Sequence, residues 1–346
     1  MKLARITAGF FLILIISGCI SSSTFPSPSY PSHPSPQHHE QAKYSLQVYF
    51  APFSNEAVNT IIALINSSNE SIHAAVYDLD LESIAEVLEQ AKARRVDVKI
   101  VSDDRQAKRE KSKIPELSKI IPVVLDNNEK DYMHNKFFVI DNKIVITGST
   151  NPTYNGFYRN NNNLIIIYSD ELAKNYEEEF QELYEGTFGG GSPTDETEVK
   201  VDGMAIENYF CPEDSCESQV LEELSKAQHE VYFMTFTFTS KPIAEKLAEL
   251  ESKGVQVYGI YEARQKSKYC TFDFLKQNGA DVIWDKNPYT MHHKVFIIDN
   301  ETVITGSYNP TKHANVANDE NILVIHDKGI AEEYVEEFFD LWGEWR

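Results

Sequence analysis

The amino-acid sequence predicts an α/β fold: two duplicated α-β-α sandwich domains packed about a pseudo-twofold axis, after an N-terminal signal and linker. Three observations support this fold class. A long segment is written twice, strand and helix patterns alternate within each copy, and a Ser/Pro-rich stretch precedes the first copy. With 346 residues, 42% of them hydrophobic, the chain can bury two cores of ordinary size.

The duplicated segment is long, and its two copies are similar in sequence. Residues 133–153 recur as residues 291–311, with fifteen of twenty-one positions identical at an offset of 158. A period of this length indicates a duplicated domain rather than a short structural repeat. We therefore expect domains over residues 44–188 and 199–346, joined by a Gly/Ser/Pro-containing linker at 189–198.

Each element of the first copy follows from its apolar spacing. Alternating or short apolar runs predict strands, and apolar residues three or four apart predict helices. In chain order, strands are expected at 46–50, 72–76, 96–101, 137–140, 144–146 and 164–168, and helices at 56–66, 84–91 and 172–183. The second copy closes with a helix over 330–341. This alternation predicts a mixed, largely parallel sheet with helices on both faces.

The N-terminal residues have the pattern of an export signal and a spacer. Lys2 and Arg5 precede a short apolar run that cannot cross a bilayer and that ends in Ile-Ser-Gly-Cys19. This resembles a lipoprotein signal over residues 1–19, with Cys19 lipidated; an ordinary secretory signal or an uncleaved anchor is the alternative. The Ser/Pro-rich residues 20–43 predict an extended tether. We expect an exported protein held at the outer face of the cell membrane.

Charge and cysteine content narrow the class of protein. The sequence has 32 Lys and Arg against 53 Asp and Glu, a net charge of −21, which argues against a general nucleic-acid coat but allows a local basic cleft. A basic run comprises Arg105, Lys108, Arg109, Lys111 and Lys113. A solvated loop explains that run better than an anion clamp does. Four cysteines are too few for a disulfide scaffold, although Cys211 and Cys216 could pair in an exported protein.

The duplicated segment carries the chemistry. Each copy contains His-x-Lys-x4-Asp followed by Gly-Ser-x-Asn. The residues are His134, Lys136, Asp141, Ser149 and Asn151 in the first copy and His292, Lys294, Asp299, Ser307 and Asn309 in the second. Because residues two apart in a strand share a face, each imidazole lies beside an ammonium group. The serine and asparagine add a hydroxyl and an amide, so one copy forms half of a site for a tetrahedral oxyanion.

This double motif resembles the signature of the phospholipase D superfamily, and the resemblance covers residues 44–346. It implies hydrolysis of a phosphodiester through a covalent phosphohistidine, with no cofactor and no metal site. One neutral imidazole attacks phosphorus, and the other, protonated, donates to the leaving alcohol. The paired lysines, asparagines and serines are expected to bind the phosphate oxygens. Asp141 and Asp299 are expected to orient a loop rather than to act as acid or base.

The two copies differ at one informative position. Glu320 lies twenty-eight residues after His292, whereas the matching position after His134 is Asn162. In similar proteins a carboxylate there holds the imidazole by its second nitrogen. The spacing therefore predicts that Glu320 backs His292, which favours His292 as the nucleophile and His134 as the acid. The habit of the family favours the first-copy histidine instead.

Three functions fit these residues. The predicted lipid anchor and the acidic body favour a phospholipase D-like hydrolase acting on phospholipid head groups at a membrane. The basic run and the compact two-copy build favour an exported nuclease that cleaves DNA or RNA. The asparagine at position 162 favours a degenerate binding protein. Tyr77 and Phe236 could line the mouth of the pocket, although core packing explains them equally well. Two half-sites in one chain predict a monomer.

Overall fold

The first copy folds as a seven-stranded sheet with helices between its strands. A computed structural model describes residues 45–345 of the chain. The strands of the first sheet are β1 Leu46–Ala51, β2 Ser71–Val76, β3 Asp97–Ser102, β4 Val123–Leu125, β5 Lys136–Ile140, β6 Ile144–Gly148 and β7 Asn162–Tyr168. The helices of this copy are α1 Asn55–Ser67, α2 Glu82–Ala93, α3 Asp104–Ala107, α4 Ile114–Leu117, α5 Tyr154–Tyr158 and α6 Asp170–Tyr184.

The second copy repeats this plan and adds one edge strand. Its strands are β8 Glu198–Val201, β9 Met204–Cys211, β10 Glu230–Thr235, β11 Gln256–Tyr261, β12 Asp281–Trp284, β13 Lys294–Ile298, β14 Thr302–Gly306 and β15 Glu320–His326. Its helices are α7 Cys216–Ser225, α8 Lys241–Ser252, α9 Phe272–Gln277, α10 Lys312–Val316 and α11 Lys328–Trp345. The added strand is β8, which pairs with β9.

Both sheets are mixed, but antiparallel pairs predominate. The first sheet has the order β1-β7-β6-β5-β2-β3-β4, in which β2–β3 and β3–β4 are the parallel pairs. The second sheet repeats it as β9-β15-β14-β13-β10-β11-β12. The expectation of a largely parallel sheet was therefore wrong. Parallel neighbours need a helical crossover, whereas β5 and β6 are joined by a short turn and β7 returns antiparallel beside β6.

Each sheet buries an outer and an inner face. Helices α1 and α2 cover the outer face of the first sheet through residues such as Ile61 and Leu88, and α7 and α8 cover that of the second. The inner faces of both sheets share one hydrophobic cluster with α6 and α11, which includes Tyr176, Phe180 and Tyr334. Each such fully buried side chain contributes about 1.5–3 kcal/mol. The predicted architecture of two duplicated α/β domains is confirmed, and the shared cluster joins them.

Some sequence predictions fall outside the described residues. These are the signal over 1–19, the spacer over 20–43 and the lipidation site Cys19. Across residues 45–345, no helix combines the length and apolar character needed to cross a membrane. The same part of the chain has a disulfide between Cys211 and Cys216, whose Cα atoms are 5.7 Å apart.

Candidate active site

The two motifs meet where the halves of the chain pair through their backbones. His134 precedes β5 and donates its N–H to the Asp319 carbonyl at 2.9 Å. His292 precedes β13 and donates its N–H to the Asn161 carbonyl at 2.8 Å. Each histidine is thus held by the segment that leads into a strand of the opposite half. The two imidazoles share one buried site, in which the charge of Lys136 acts on His292.

The polar partner of each imidazole also comes from the opposite half. The Nδ1–H of His134 donates to Glu320 Oε2 at 2.6 Å, and the Nδ1–H of His292 donates to Asn162 Oδ1 at 2.8 Å. The prediction that Glu320 backs His292 is therefore wrong. Glu320 and Asn162 begin β15 and β7, and the ends of these strands reach across the interface between the halves. The carboxylate belongs to His134.

The motif serines hold these partners instead of facing a substrate. Ser307 Oγ donates to Glu320 Oε2 at 2.7 Å, and Ser149 Oγ donates to Asn162 Oδ1 at 3.0 Å. Both serines are fully buried, and each hydroxyl also accepts an N–H from the strand that carries its partner. We expected these hydroxyls to bind phosphate oxygens. The structure shows them occupied, so they fix the orientation of Glu320 and Asn162.

A glycine before each serine allows this close approach. Gly306 has a φ of +144°, and a Cβ there would lie 2.3 Å from the Asn321 carbonyl oxygen. Gly148 has a φ of +131°, and its Cβ would lie 2.6 Å from the Asn163 carbonyl oxygen. Strands β14 and β6 can therefore end against β15 and β7 only with glycine at these positions.

Each motif lysine lies near an aromatic ring that also contacts its histidine. Lys136 Nζ donates to the His134 carbonyl at 2.5 Å and lies 5.1 Å from the Tyr77 ring centroid. Lys294 makes the equivalent backbone bond at 2.7 Å and lies 5.4 Å from the Phe236 ring centroid. Both lysines are only 3% exposed. Two buried ammonium groups in one site are suited to an anionic ligand.

Burial and mutual repulsion lower the charge of the site. Burial, opposed by Glu320, lowers the pKa of His134 to about 4. Burial, together with Lys294 and Lys136, lowers the pKa of His292 well below its usual value. Burial also lowers the pKa of Lys136 to about 7 and that of Lys294 well below its usual value. A bound anion would favour the protonated forms and raise these pKa values.

The two imidazoles are prepared for different roles. Burial raises the pKa of Glu320, but the charges of His134 and Lys136 and a hydrogen bond from Ser307 outweigh it, so the pKa stays below its usual value. An ionised Glu320 that accepts Nδ1–H leaves the Nε2 lone pair of neutral His134 free to attack. The Asn162 amide orients His292 without stabilising its cation, so protonated His292 is the stronger acid.

The motif asparagines are the remaining uncharged candidates for phosphate binding. The side-chain Oδ1 atoms of Asn151 and Asn309 are buried, and neither finds a hydrogen-bond partner within residues 45–345. Each asparagine lies two residues after a buried serine, just beyond the end of β6 or β14. Phosphate oxygens accept hydrogen bonds, so they would be bound by the Nδ2–H2 groups of these amides, whereas the buried Oδ1 atoms need a donor such as a hydroxyl group or water.

Asp141 and Asp299 lie at the far ends of β5 and β13. The Asp141 carboxylate accepts N–H groups of residues 69–71 at 2.8 to 3.2 Å, and Asp299 accepts those of residues 228–230. A five-residue strand separates each aspartate from its motif histidine by about 16 Å. The aspartates therefore tie a turn to the neighbouring strand, as orienting residues, and are not part of the catalytic group.

Replacing Asp141 with asparagine is expected to lower the free energy of unfolding by about 1 kcal/mol, because three N–H groups lose a charged acceptor at a partly exposed site. Burial raises the pKa of Asp141, but these N–H bonds outweigh it, so the pKa is lowered. The stabilisation is therefore present above the unfolded-state pKa and is lost as the pH falls through the folded-state pKa. Urea unfolding of the native and D141N chains at pH 7 and pH 3 measures both effects. A variant with native stability and a large loss of kcat would instead place Asp141 in the chemistry.

Sequence patterns alone did not identify a second layer of buried polar side chains behind the two motifs. Asn135, between the motif histidine and lysine, donates to Glu179 Oε1 at 3.1 Å. His293, at the equivalent position, lies with Nε2 3.3 Å from Glu337 Oε1. A signal was available, because Glu179 and Glu337 share the offset of 158 inside the closing helices. The pairs Asn135–Glu179 and His293–Glu337 therefore connect each motif to the closing helix of its half and help to fix its position.

Most side chains of the basic run form hydrogen bonds or ion pairs within the first half of the chain. Arg105 donates to the Asp131 carbonyl at 2.6 Å and lies 3.8 Å from the Tyr132 ring centroid. Lys108 and Lys113 form ion pairs with carboxylates of the same half. This agrees with a solvated loop more than with a clamp for a long polyanion.

Comparisons with known proteins identify the family to which this chain is similar. The family model described as cardiolipin synthase, PLD-like domain, matches residues 61–184 and again residues 220–342. Phospholipase D of Rickettsia typhi is 32% identical over 135 residues, which cover 39% of this chain and 66% of that protein. Mitochondrial cardiolipin hydrolase of Xenopus tropicalis is 36% identical over 136 residues, which cover 38% of this chain and 63% of that protein. The chain therefore spans slightly less than two thirds of these two relatives.

A solved structure shows a similar fold over most of the chain. Phosphatidylserine synthase from Haemophilus influenzae superposes with a TM-score of 0.67 at 18% identity, covering 85% of each chain. Nuc from Salmonella typhimurium, a phospholipase D family member, has a TM-score of 0.40 at 30% identity and covers 41% of this chain and 97% of its own. Since each of the two family-model matches contains one complete copy of the histidine–lysine motif, this chain belongs to the phospholipase D superfamily, with two PLD-like domains in one polypeptide.

Proposed function

We propose that this chain hydrolyses phosphodiesters through a phosphohistidine on His134, with His292 as the general acid, and that its substrates are phospholipids. The observation that carries this proposal is the crossed pairing of Glu320 with His134 and of Asn162 with His292, beside two buried lysines. This pairing distinguishes a nucleophile from an acid. It also reverses the assignment that spacing along the chain favours.

In the first step, neutral Nε2 of His134 attacks phosphorus. A P–N bond forms while the P–O bond to the leaving alcohol breaks, and protonated His292 gives its Nε2 proton to the leaving oxygen. Glu320 offsets the positive charge that develops on the His134 imidazole. Lys136 and Lys294 stabilise the charge on the non-bridging oxygens.

In the second step, water attacks the phosphohistidine from the side that the alcohol has left. Neutral His292 accepts a proton from this water, the P–N bond breaks, and its electron pair returns to Nε2 of His134. The products are an alcohol and a phosphate monoester, and both histidines regain their starting states. The charge stabilisation that a divalent ion supplies in other phosphodiesterases comes here from the two lysines, so the proposed reaction needs no metal.

Three arguments support a phospholipid as the substrate. A net charge of −21 disfavours long polyanions. The names of two relatives, phospholipase D and mitochondrial cardiolipin hydrolase, denote enzymes that act on phospholipids. A lipid on Cys19 would hold the chain at a bilayer surface. The proposal therefore includes an exported, membrane-tethered monomer, since both halves of the site lie in one chain.

A substrate panel tests this proposal. The full-length chain, in EDTA, is offered phosphatidylethanolamine in micelles, single-stranded DNA and bis(p-nitrophenyl) phosphate. We expect turnover of the lipid and of the chromogenic diester, and none of DNA. Turnover of DNA without lipid would favour a nuclease, loss of activity in EDTA would contradict metal-free chemistry, and no turnover of any substrate would favour a degenerate binding protein. A diacylglyceryl mass on the Cys19 peptide tests the anchor.

Anion binding is expected to weaken as the pH rises above 7. The pKa of Lys136 is lowered to about 7 in the free site, and a bound phosphodiester would raise it. Below pH 7, Lys136 is already protonated before the anion binds. Above pH 7, binding of the anion is accompanied by the uptake of at least one proton. The Kd should therefore rise by about tenfold per pH unit until the pH reaches the pKa of Lys136 in the complex. Titration with dimethyl phosphate, whose charge is constant in this range, measures Kd at pH 6 to 9. A Kd that does not change between pH 7 and 9 would contradict the linkage.

A further inference from the structure

A cavity of about 540 Å³ opens at the active-site end of the first half, and we call it the Asp78 cavity. Its walls come from the loop after β2, the loop after α3, and α5 with the residues that follow it. It is lined by Asp78, Asp80, Arg109, Glu110, Lys111 and Arg159, among others. Ligands of open α/β sheets bind beyond the carboxyl ends of parallel strands, which is where β2 and β3 deliver these side chains.

The Asp78 cavity is connected to the catalytic centre from the side of His134. Asp78 directly follows Tyr77, whose ring centroid lies 4.7 Å from that of His134. Gln106 Nε2 donates to Tyr77 Oη at 2.7 Å, and Arg109 donates to Gln106 Oε1 at 2.8 Å. The cavity wall and the ring that covers the nucleophile are therefore one hydrogen-bonded unit.

The cavity also reaches the surroundings of His292, where the leaving alcohol departs. The Arg159 guanidinium lies between two rings, 5.0 Å from the centroid of Tyr154 and 4.8 Å from that of Tyr289. Tyr289 comes three residues before His292, and two residues after Arg159 the Asn161 carbonyl accepts the His292 N–H. The cavity wall is therefore linked through Arg159 to the segments that hold His292.

The second half does not repeat this chemistry. The offset of 159 that relates Tyr77 to Phe236 places Thr237 opposite Asp78 and Lys268 opposite Arg109. The cavity on that side, of about 550 Å³, is lined by the exposed rings of Tyr269 and Phe274 and by Lys241, Glu245 and Lys268. Its lining contains no aspartate, so the carboxylate of Asp78 distinguishes the two cavities.

The charges of the Asp78 cavity define the polar arm that it would accept. Asp78 Oδ2 accepts a hydrogen bond from Arg109 at 3.3 Å, and the aspartate side chain is 14% exposed against 64% for the arginine. Burial, opposed by Arg109, raises the pKa of Asp78 to about 6, so the carboxylate is ionised at pH 8. A mostly buried carboxylate favours an ammonium group. The cavity is lined by three acidic and three basic side chains, and Asp78 is more buried than its partner Arg109, so the preference for an ammonium group rests on Asp78.

We propose that the Asp78 cavity binds the head-group alcohol of the phospholipid and that Asp78 selects an alcohol that carries an ammonium group. This inference rests on the proposed function and adds a specificity-determining residue to it. The ammonium group of an aminoalcohol would donate to Asp78, and the cavity wall would hold the alcohol where it leaves toward His292.

A competition assay tests the inference. The full-length chain is given phosphatidylethanolamine and phosphatidylglycerol with identical acyl chains in the same micelles at pH 8, so that the ratio of their kcat/KM values is independent of micelle binding. The native chain is expected to favour the ethanolamine lipid by at least about tenfold. Asp78→Thr replaces the aspartate with the residue found at the equivalent position of the second half. This variant should reduce the ratio by about tenfold, which is the effect expected from the loss of one charge-assisted hydrogen bond. Asp78→Asn, which keeps the side-chain volume, should act in the same direction if the threonine variant folds poorly.

The controls separate the inference from the proposed function. Glu249→Gln removes a surface carboxylate on α8 that pairs with Lys246 and Lys253, and it should leave the ratio unchanged. A native ratio in both folded Asp78 variants would overturn the inference while the chemistry stands. A native chain that turns over neither lipid nor bis(p-nitrophenyl) phosphate would overturn the proposed function itself.

Discussion

Replacing Glu320 with glutamine is expected to lower kcat by about 10³-fold. The amide oxygen of glutamine can still accept the Nδ1–H of His134, so the imidazole keeps its place. What is lost is the negative charge that balances the cationic phosphohistidine. In this variant both imidazoles have neutral amide partners, as His292 has in the native chain. Steady-state turnover of bis(p-nitrophenyl) phosphate gives kcat, and base-quenched reactions give the fraction of chain that carries phosphate.

Moving the carboxylate tests the assignment of the nucleophile directly. The double variant Glu320→Gln with Asn162→Glu places the only carboxylate of the pair behind His292. We expect the covalent phosphate to lie on the His134 peptide in the native chain and on the His292 peptide in the double variant. Glu249→Gln, on the exposed surface of α8, serves as the control and should retain native kcat. Phosphate on His292 in the native chain would restore the assignment that spacing favours.

The difference between Glu320 and Asn162 has a chemical reason. A carboxylate behind an imidazole stabilises its cation, which helps a nucleophile that becomes positively charged but hinders an acid that must release its proton. A glutamate at position 162 would stabilise the cation of His292 and make it a weaker acid, while the partner of His134 would be unchanged. The asparagine is therefore consistent with an active enzyme as well as with a degenerate one.

The sequence identifies the residues of the two half-sites, because each copy of the duplicated segment can be compared with the other. His134, Lys136, His292 and Lys294 stand out since both copies keep them at the same spacing beside apolar strands. Strand alternation and helix stripes, which are local signals, also predict most elements of the two sheets. These features depend on neighbours in sequence, and the structure places them where local patterns indicate.

Features that depend on how the halves meet could not be predicted. Glu320 lies twenty-eight residues from His292, and Asn162 lies the same distance from His134, so spacing cannot tell pairing within a copy from pairing across copies. The cross-pairing depends on backbone contacts such as Met133 with Asp319, which join segments 186 residues apart. The serine hydroxyls were misassigned for a different reason, because each donates to a side chain thirteen residues further along its own copy, Ser307 to Glu320 and Ser149 to Asn162. The sheet was expected to be largely parallel because helical segments precede β2 and β3, but β5 pairs antiparallel with β2 and β1 pairs antiparallel with β7, contacts between segments distant in sequence that local patterns do not predict.

Replacing Lys294 with methionine is expected to lower kcat/KM by about 10²- to 10³-fold. Methionine has a similar length and can keep the packing against Phe236, so the change removes the charge that stabilises the transferring phosphoryl oxygens. Burial and the charge of Lys294 are the two largest causes of the lowered pKa of His292. Without that charge the pKa of His292 should rise, and the limb of the pH–rate profile that requires protonated His292 should move to higher pH. Both effects are read from kcat/KM for the chromogenic diester between pH 5 and 9.

The matched control is Lys253→Met, which removes an ammonium group at the exposed end of α8, where it pairs with Glu249. That variant should keep the native kcat/KM and the native pH profile, because the lost charge is exposed and is screened by water. A structural role for Lys294 would lower thermal stability without moving the pH profile. A Lys294→Met chain with kcat/KM within threefold of native would contradict the view that two buried cations replace a metal ion, since half of that positive charge would then be dispensable.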